Sequence, residues 1–308
     1  MIVIVYLENE VKAFSVTDDH INCIRNRFPQ WDFIRVTDEN AFLDHLHKAD
    51  LVITWRFKAP WYCLAPKLKA IFTPAAGHDW IEQDKNFNVA VNYGTFHGTI
   101  MAESLLAMIL YFNRRIPQAL LQKKNHIWNR DFLNSTSRLA TQHVVIVGYG
   151  RIASKCASVL KFLGCRITGV KHSPYDSRLD KDTDAICHPD HMEEVLRNCD
   201  HLVSILPGTE SNTCFFNRKR FSALKPGAFF YSIGRGNCCK EEDLLWALDK
   251  GFIAGAGMDV FYQEPLPQDS SLWDHPDVLI IPHGTAIVKD YLSLYFEELS
   301  KKLKDFGS

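Results

Sequence analysis

Short apolar runs alternate with stretches of helical spacing along nearly the whole chain. In the first hundred residues the runs at 2–6, 31–36, 51–55, 70–73 and 89–92 read as strands. Between them, Thr17 and Asp18 can cap a helix carrying Ile21, Ile24 and Phe28. A second helix over 39–48 places Phe42, Leu43 and Leu46 on one face. A long helix over 99–116 carries Met101, Leu105, Met108, Ile109 and Phe112, and Pro117 is expected to stop it. Residues 118–141 read as polar and irregular around Trp128 and Phe132. A second series then begins. It has strands at 143–147, 166–170, 201–206, 228–233, 253–260 and 278–281. Helices are expected over the dozen residues after 150, at 191–199, in a short segment ending at 221–224, at 240–250 with Leu244, Leu245 and Leu248 inward, and at 289–304. Strand–helix alternation of this kind predicts parallel sheets and an α/β fold.

The length of 308 residues fits two domains, and 46% apolar residues suffice for two cores. Thirty-five basic and 36 acidic side chains give a formal net charge of −1, without the basic excess of a nucleic-acid binder. No uncharged apolar run is long enough for a membrane span. The N-terminal stretch turns acidic at once and reads as a first strand, not a signal peptide. Nine scattered cysteines without a Cys-x-x-Cys pair fit a reducing, cytoplasmic setting in which each acts as a small buried hydrophobe.

The strand at 143–147 runs directly into Gly148-Tyr149-Gly150-Arg151-Ile152-Ala153. A strand that stops at a tight glycine turn and feeds a helix leaves the first helical N–H groups free. With the positive end of the helix dipole they form a phosphate site. The first glycine permits the turn, the second lets backbone approach a pyrophosphate, and Ala153 lets helix and strand pack closely. Glycines at such a turn can be only a turn, but the flanking strand and helix are the context a dinucleotide site needs. Gly148, Tyr149, Gly150, Arg151 and Ile152 are therefore assigned to the cofactor. The later strand ends at Leu206-Pro207, Ile233-Gly234 and Gly284 are counted with them.

Three polar residues stand at strand ends of the second series, each flanked by Gly or Pro: Arg235, Glu264 and His283. Singly they would be a surface arginine, a surface glutamate and a capping histidine. Together their chemistry is complementary. A carboxylate beside an imidazole raises its pKa and makes it a general acid or base near neutral pH. An arginine takes a carboxylate with a bidentate fork. In the first series, Pro74-Ala75-Ala76-Gly77 ends a strand with small residues, either a ligand-facing turn or a simple βα turn.

These segments resemble the D-isomer-specific 2-hydroxyacid dehydrogenase family over nearly the full length. The strongest stretches are Leu224-Lys225-Pro226-Gly227-Ala228, Arg235-Gly236, Asp259-Val260-Phe261, Glu264-Pro265-Leu266-Pro267 and Pro282-His283. The resemblance implies two Rossmann-like or flavodoxin-like domains with parallel sheets and a cleft between them. Residues 1–97 and 286–308 would form the substrate-binding (catalytic) domain, and 98–285 the dinucleotide-binding domain. It further implies that Arg235 binds the substrate carboxylate and keto oxygen and that His283 exchanges the proton. Glu264 would hold His283, Ala76 and Gly77 would offer N–H groups to the carboxylate, and Asp259 would meet the nicotinamide carboxamide. Family members usually form dimers, so a homodimer is expected. Ser232, Gly234, Ala153 and His78 depart from common family residues without removing a group the chemistry needs. Trp55, Arg56, Trp80 and Tyr291 are candidates for shaping the substrate pocket, though an aromatic there serves a core as readily.

An NAD site usually carries Asp or Glu roughly 20 residues past the glycines, whereas a 2′-phosphate wants a cation. Here the strand ends in Lys171-His172-Ser173, and no carboxylate follows until Asp176. NADP(H) is therefore expected in preference to NAD(H). His188 and His191 could share a helix face, but no further ligand cluster accompanies them, and no metal is expected. With 25 residues after His283, no added regulatory domain is read. The expected activity is reduction of a small 2-keto acid such as glyoxylate or hydroxypyruvate. The alternatives are a bulkier or phosphorylated 2-keto acid, or a dinucleotide-sensing, corepressor-like binding protein.

Overall fold

In the computed structural model, which describes residues 1–173 and 181–307, the chain divides into two compact units: Met1–His97 with Ile287–Ser308, and Gly98–Ala286.

The first unit is built on five parallel strands: β1 (Ile2–Tyr6), β2 (Asp32–Arg35), β3 (Leu51–Thr54), β4 (Ala70–Thr73) and β5 (Ala90–Tyr93). Their order is β2-β1-β3-β4-β5, the flavodoxin-like arrangement. β3 and β4 are buried at every position, which is why they read as unbroken apolar runs and not as alternating ones. Helix α1 (Asp18–Arg27) starts at Thr17, whose side chain and backbone form a capping box with His20. Asp38 accepts from the Ala41 N–H at the start of α2 (Glu39–His45), and the last residues of the predicted 39–48 helix tighten into a 3₁₀ turn. The C-terminal helix belongs to this unit. Its inward residues Tyr291, Leu292, Tyr295, Phe296, Leu299 and Leu303 are buried, and Glu298 accepts from the N–H and hydroxyl of Thr95.

The second unit is a seven-stranded parallel sheet. Its strands are β6 (His143–Val147), β7 (Arg166–Val170), β8 (Ala185–Cys187), β9 (His201–Ser204), β10 (Ala228–Ser232), β11 (Ile253–Met258) and β12 (Val278–Ile280). The order β12-β11-β10-β9-β6-β7-β8 reverses direction between β6 and β9. Open α/β sheets bind ligands outside the carboxyl ends of the strands at such a switch point. Two apolar cores cover the two faces, one centred on Met108, Ile146 and Tyr231, the other on Leu202, Phe216 and Phe230.

The structure departs from the sequence expectation in three places. The long helix α3 (His97–Asn113) ends where Arg115 takes a left-handed conformation (φ 55°). Pro117 then sits in the first turn of a new helix, α4 (Ile116–Lys124), within the stretch expected to be irregular. Proline is tolerated there because the N–H it lacks has no intrahelical partner at a helix start. Strand β8, only three half-buried residues long, was too short to show a period. The helix expected at 191–199 shrinks to α6 (Met192–Leu196), preceded by a 3₁₀ turn that His188 caps through the Asp190 N–H.

Candidate active site

The glycine turn is built by sterics at the end of β6. Gly148 has φ +89°, and a Cβ there would lie 2.6 Å from the Ile205 carbonyl oxygen. The N–H groups of Gly148 and Tyr149 both donate to the Val170 carbonyl oxygen, at 3.1 and 3.0 Å, which ties the turn to the end of β7. Gly150 is the N-cap of α5 (Arg151–Phe162), and the first helical bond across the turn runs from the Ser154 N–H to the Gly150 carbonyl. The amides ahead of Ser154 thus stand outside the helical ladder. Ala153 is fully buried, so its small side chain serves the helix–strand contact. The Tyr149 ring turns into the core, which leaves its backbone as the part facing the turn. A turn where Gly148 has no room for a Cβ and Gly150 keeps its side open, at the N-terminus of a three-turn helix, fits a pyrophosphate.

Neighbouring strand ends converge on this turn. Gly234, following β10, lies so close to Leu206 that a Cβ would sit 2.5 Å from the Leu206 carbonyl oxygen. Ile233 and Leu206 are buried beneath, and Pro207 holds the loop by accepting from the Asn212 side chain at 3.0 Å. On the other side, β7 and β8 are in register at Val170 and Cys187, and the Lys171 N–H donates to the Cys187 carbonyl at 3.1 Å. This places half-buried Lys171 and exposed His172 and Ser173 one strand from Gly148. The His172 ring meets the His188 ring edge-on at 5.1 Å. Asp176 lies outside the described residues. No group of three or more His, Cys, Asp or Glu side chains suited to a metal occurs among the described residues.

The His283 Nδ1 lies 2.7 Å from Glu264 Oε2, and the other Glu264 oxygen accepts from the Phe261 N–H at 2.9 Å. Because the carboxylate only accepts, Nδ1 carries the proton of that bond and Nε2 is the nitrogen left for other chemistry. The hydrogen bond to Glu264 raises the His283 pKa, against the desolvation that lowers it. On Glu264, burial pushes upward, yet the bonds from His283 and the Phe261 N–H outweigh it and the carboxyl stays below its ordinary range. The Arg235 guanidinium is near enough to lower both pKa values. Its side chain lies along Gly208 and donates to the Gly234 carbonyl at 3.0 Å. The three residues singled out at separate strand ends therefore share one electrostatic environment.

Asp259 has a part that the sequence did not disclose. It is 2% exposed. Its Oδ1 accepts from the N–H groups of Gly284 (2.7 Å) and Thr285 (2.9 Å), and its Oδ2 from the Thr285 hydroxyl (2.6 Å). Its own carbonyl accepts from the His283 N–H at 2.8 Å. This bracket holds His283 in a left-handed backbone conformation, φ 48°, which a non-glycine residue keeps only where its surroundings impose it. An acidic residue closing a glycine-rich strand was the only sequence signal for it.

The first unit has its own cluster at strand ends. Trp55, following β3, donates its indole N–H to the Phe14 carbonyl at 3.0 Å and packs against Phe14 and Tyr291. After β4, Ala75 accepts from the Gly94 N–H, and Gly77 opens a 3₁₀ turn over His78–Trp80. Ala76 and Gly77 are half-buried, and among the described residues nothing accepts from their N–H groups. The Arg56 guanidinium lies 4.7 Å above the Trp80 ring, and His78 stacks on Tyr93 at 4.0 Å.

Residues 106–285 match the family model described as D-isomer specific 2-hydroxyacid dehydrogenase, NAD binding domain. The chain is 30% identical to glyoxylate/hydroxypyruvate reductase A of Photorhabdus laumondii, with 79% of each covered. Its structure superimposes on a D-isomer specific 2-hydroxyacid dehydrogenase family protein from Aeromonas salmonicida at 26% identity. The TM-score is 0.80, over 97% of this chain and 92% of the other. An NADPH-dependent glyoxylate/hydroxypyruvate reductase from Sinorhizobium meliloti, solved with NADP and sulfate, is 25% identical with a TM-score of 0.83, over 99% and 95% of the two chains. With more than half its length matched by that model, the chain belongs to the D-isomer specific 2-hydroxyacid dehydrogenase family and is an NAD(P)-dependent oxidoreductase.

Proposed function

We propose that the protein reduces a small 2-keto acid of the glyoxylate/hydroxypyruvate kind to the D-2-hydroxy acid, with His283 as general acid and NADP(H) as the preferred cofactor. The observation that carries this is the 2.7 Å His283–Glu264 bond beside Arg235. The Gly148–Ile152 turn would hold a nicotinamide dinucleotide, which when bound would supply the hydride. Arg235 takes the substrate carboxylate and keto oxygen, so developing negative charge on that oxygen meets a fixed cation. His283, whose pKa the Glu264 hydrogen bond raises, gives its Nε2 proton to that oxygen, and in oxidation takes it back. Trp55, Ala76 and Gly77 are assigned to the substrate, the two loop residues through their N–H groups. Asp259, with both oxygens committed to the 283–285 loop, positions His283, and its assignment to the nicotinamide carboxamide rests on family resemblance.

The cofactor preference rests on Lys171, His172 and Ser173 at the end of β7, where cationic and hydroxyl groups suit a 2′-phosphate. The Sinorhizobium meliloti relative, crystallised with NADP, agrees with it.

A homodimer and a cytoplasmic location complete the proposal. No residue of α4 is buried; Leu120, Leu121, Ile127 and Trp128 expose 53, 59, 54 and 92% of their surface. Four large apolar side chains exposed within nine residues favour an association surface. All nine cysteines are free thiols, as a reducing compartment requires, and no helix among the described residues is long and apolar enough to cross a membrane.

The test is NADPH oxidation against about a dozen 2-keto acids, a panel size set by the few classes of side chain such a pocket can sort. Turnover of glyoxylate or hydroxypyruvate supports the assignment. Tight dinucleotide binding with no turnover across the panel would replace it with the binding-protein alternative.

A further inference from the structure

The loops that follow β3 and β4 are zipped together beyond the sheet. The Phe57 N–H donates to the Trp80 carbonyl at 3.2 Å, and the Glu82 N–H donates to the Phe57 carbonyl at 2.9 Å. The Glu82 side chain closes the arrangement by accepting from the Ala59 N–H at 2.9 Å. Phe57 and Ile81 thus form a short parallel bridge with Phe57 buried as its anchor. Arg56 and Trp80, flanking this bridge, are held on one surface, which fixes the guanidinium over the indole at 4.7 Å. Trp80 is three residues from Gly77, the loop assigned above to the substrate carboxylate.

Arg56 is exposed, and no carboxylate among the described residues pairs with it. Arg35, in the same unit, is by contrast ion-paired to Glu8 and Asp18. Stacking occupies only the face of the guanidinium. The edge, with its fork of N–H donors, stays available to a planar anion. The Trp80 ring makes no demand on that edge, and the stack removes part of the rotamer freedom that binding would otherwise cost.

From this we infer that Arg56, set on Trp80, recognises a second anionic group at the far end of the substrate. The favoured substrate is then a 2-keto acid bearing a distal carboxylate or phosphate. This rests on the assignment of the Ala76–Gly77 loop to the 2-keto acid and specifies which members of that class bind best. Arg56 is a specificity residue, away from the reacting atoms, so its effect falls on KM more than on kcat.

The experiment compares hydroxypyruvate, oxaloacetate and 3-phosphohydroxypyruvate at saturating NADPH, for the wild type, Arg56→Gln and Arg56→Lys. At least one dianionic substrate should exceed hydroxypyruvate in kcat/KM by about tenfold, the value of a charge-assisted hydrogen bond. Which one gains says whether the distal group is a carboxylate or a phosphate. Arg56→Gln should remove about that factor through KM, with a much smaller change for hydroxypyruvate. Arg56→Lys, which keeps charge but loses the fork, should recover part of it. Turnover of hydroxypyruvate without preference for either dianion overturns the inference alone. Equal loss on all three substrates in Arg56→Gln overturns it as well. No turnover of any of the three overturns the assignment of the site and this inference with it.

Discussion

His283 is defined by three constraints that act on single atoms. Its N–H groups are taken by the Asp259 carbonyl and by Glu264, its backbone is turned to φ 48°, and its remaining nitrogen is the one proposed to meet the substrate. The Glu264 bond is the leading cause of its raised pKa. Reduction needs the protonated ring, so kcat/KM for reduction should hold at low pH and fall as pH rises through that raised value. In Glu264→Gln the carboxylate is gone and the falling limb should move to lower pH, with lower activity at neutral pH. A pH–rate profile of the two proteins measures this. A limb that stays in place would show that Glu264 does not set the His283 pKa. The three polar residues were legible in sequence because each follows an apolar run and is flanked by Gly or Pro. The Asp259 bracket was not, because two of the three groups that bond its carboxylate are backbone N–H groups, and these leave no residue type to read.

At the scale of elements, position along the sheet sorts the roles. In the proposed function the end of β6 meets the pyrophosphate through its backbone, and the end of β7, one strand away, meets the cofactor through side chains. Lys171→Ala should therefore lower kcat/KM for NADPH by about tenfold, the loss expected for one charge-assisted hydrogen bond, and leave NADH nearly unchanged. Steady-state kinetics with both cofactors checks it, and equal losses would make Lys171 structural. Strand positions were largely evident in the sequence because a strand buried on both faces is an unbroken apolar run, as β3, β4 and β6 are. β8 was hidden because three half-buried residues carry no period, and α4 because Pro117 at a helix start looks the same in sequence as one at a helix end.

For the molecule as a whole, the exposed apolar side chains of α4 and its flanking segment require an explanation that the single chain does not provide. A homodimer burying Leu121 and Trp128 predicts that Leu121→Asp shifts the sedimentation coefficient from dimer to monomer. A monomeric wild type would contradict it. The unit Gly98–Ala286 holds the glycine turn, Lys171 and the Arg235–Glu264–His283 group on one sheet, while Trp55, Arg56 and the Ala76–Gly77 loop belong to the other unit. Family-level fold and chemistry were legible in the ordered motifs. The pairing of Arg56 with Trp80 was not, because it depends on two loops being zipped after neighbouring strands.

In the proposed mechanism His283 supplies the proton to a 2-keto oxygen. The most direct measurement is hydroxypyruvate reduction by wild type and His283→Ala, alongside NADPH affinity from fluorescence titration. In His283→Ala, kcat should fall by about 10²–10⁴-fold, the range for losing a general acid, while the NADPH Kd stays within about threefold. Retention of turnover in His283→Ala, or an equal collapse of NADPH binding, would contradict it.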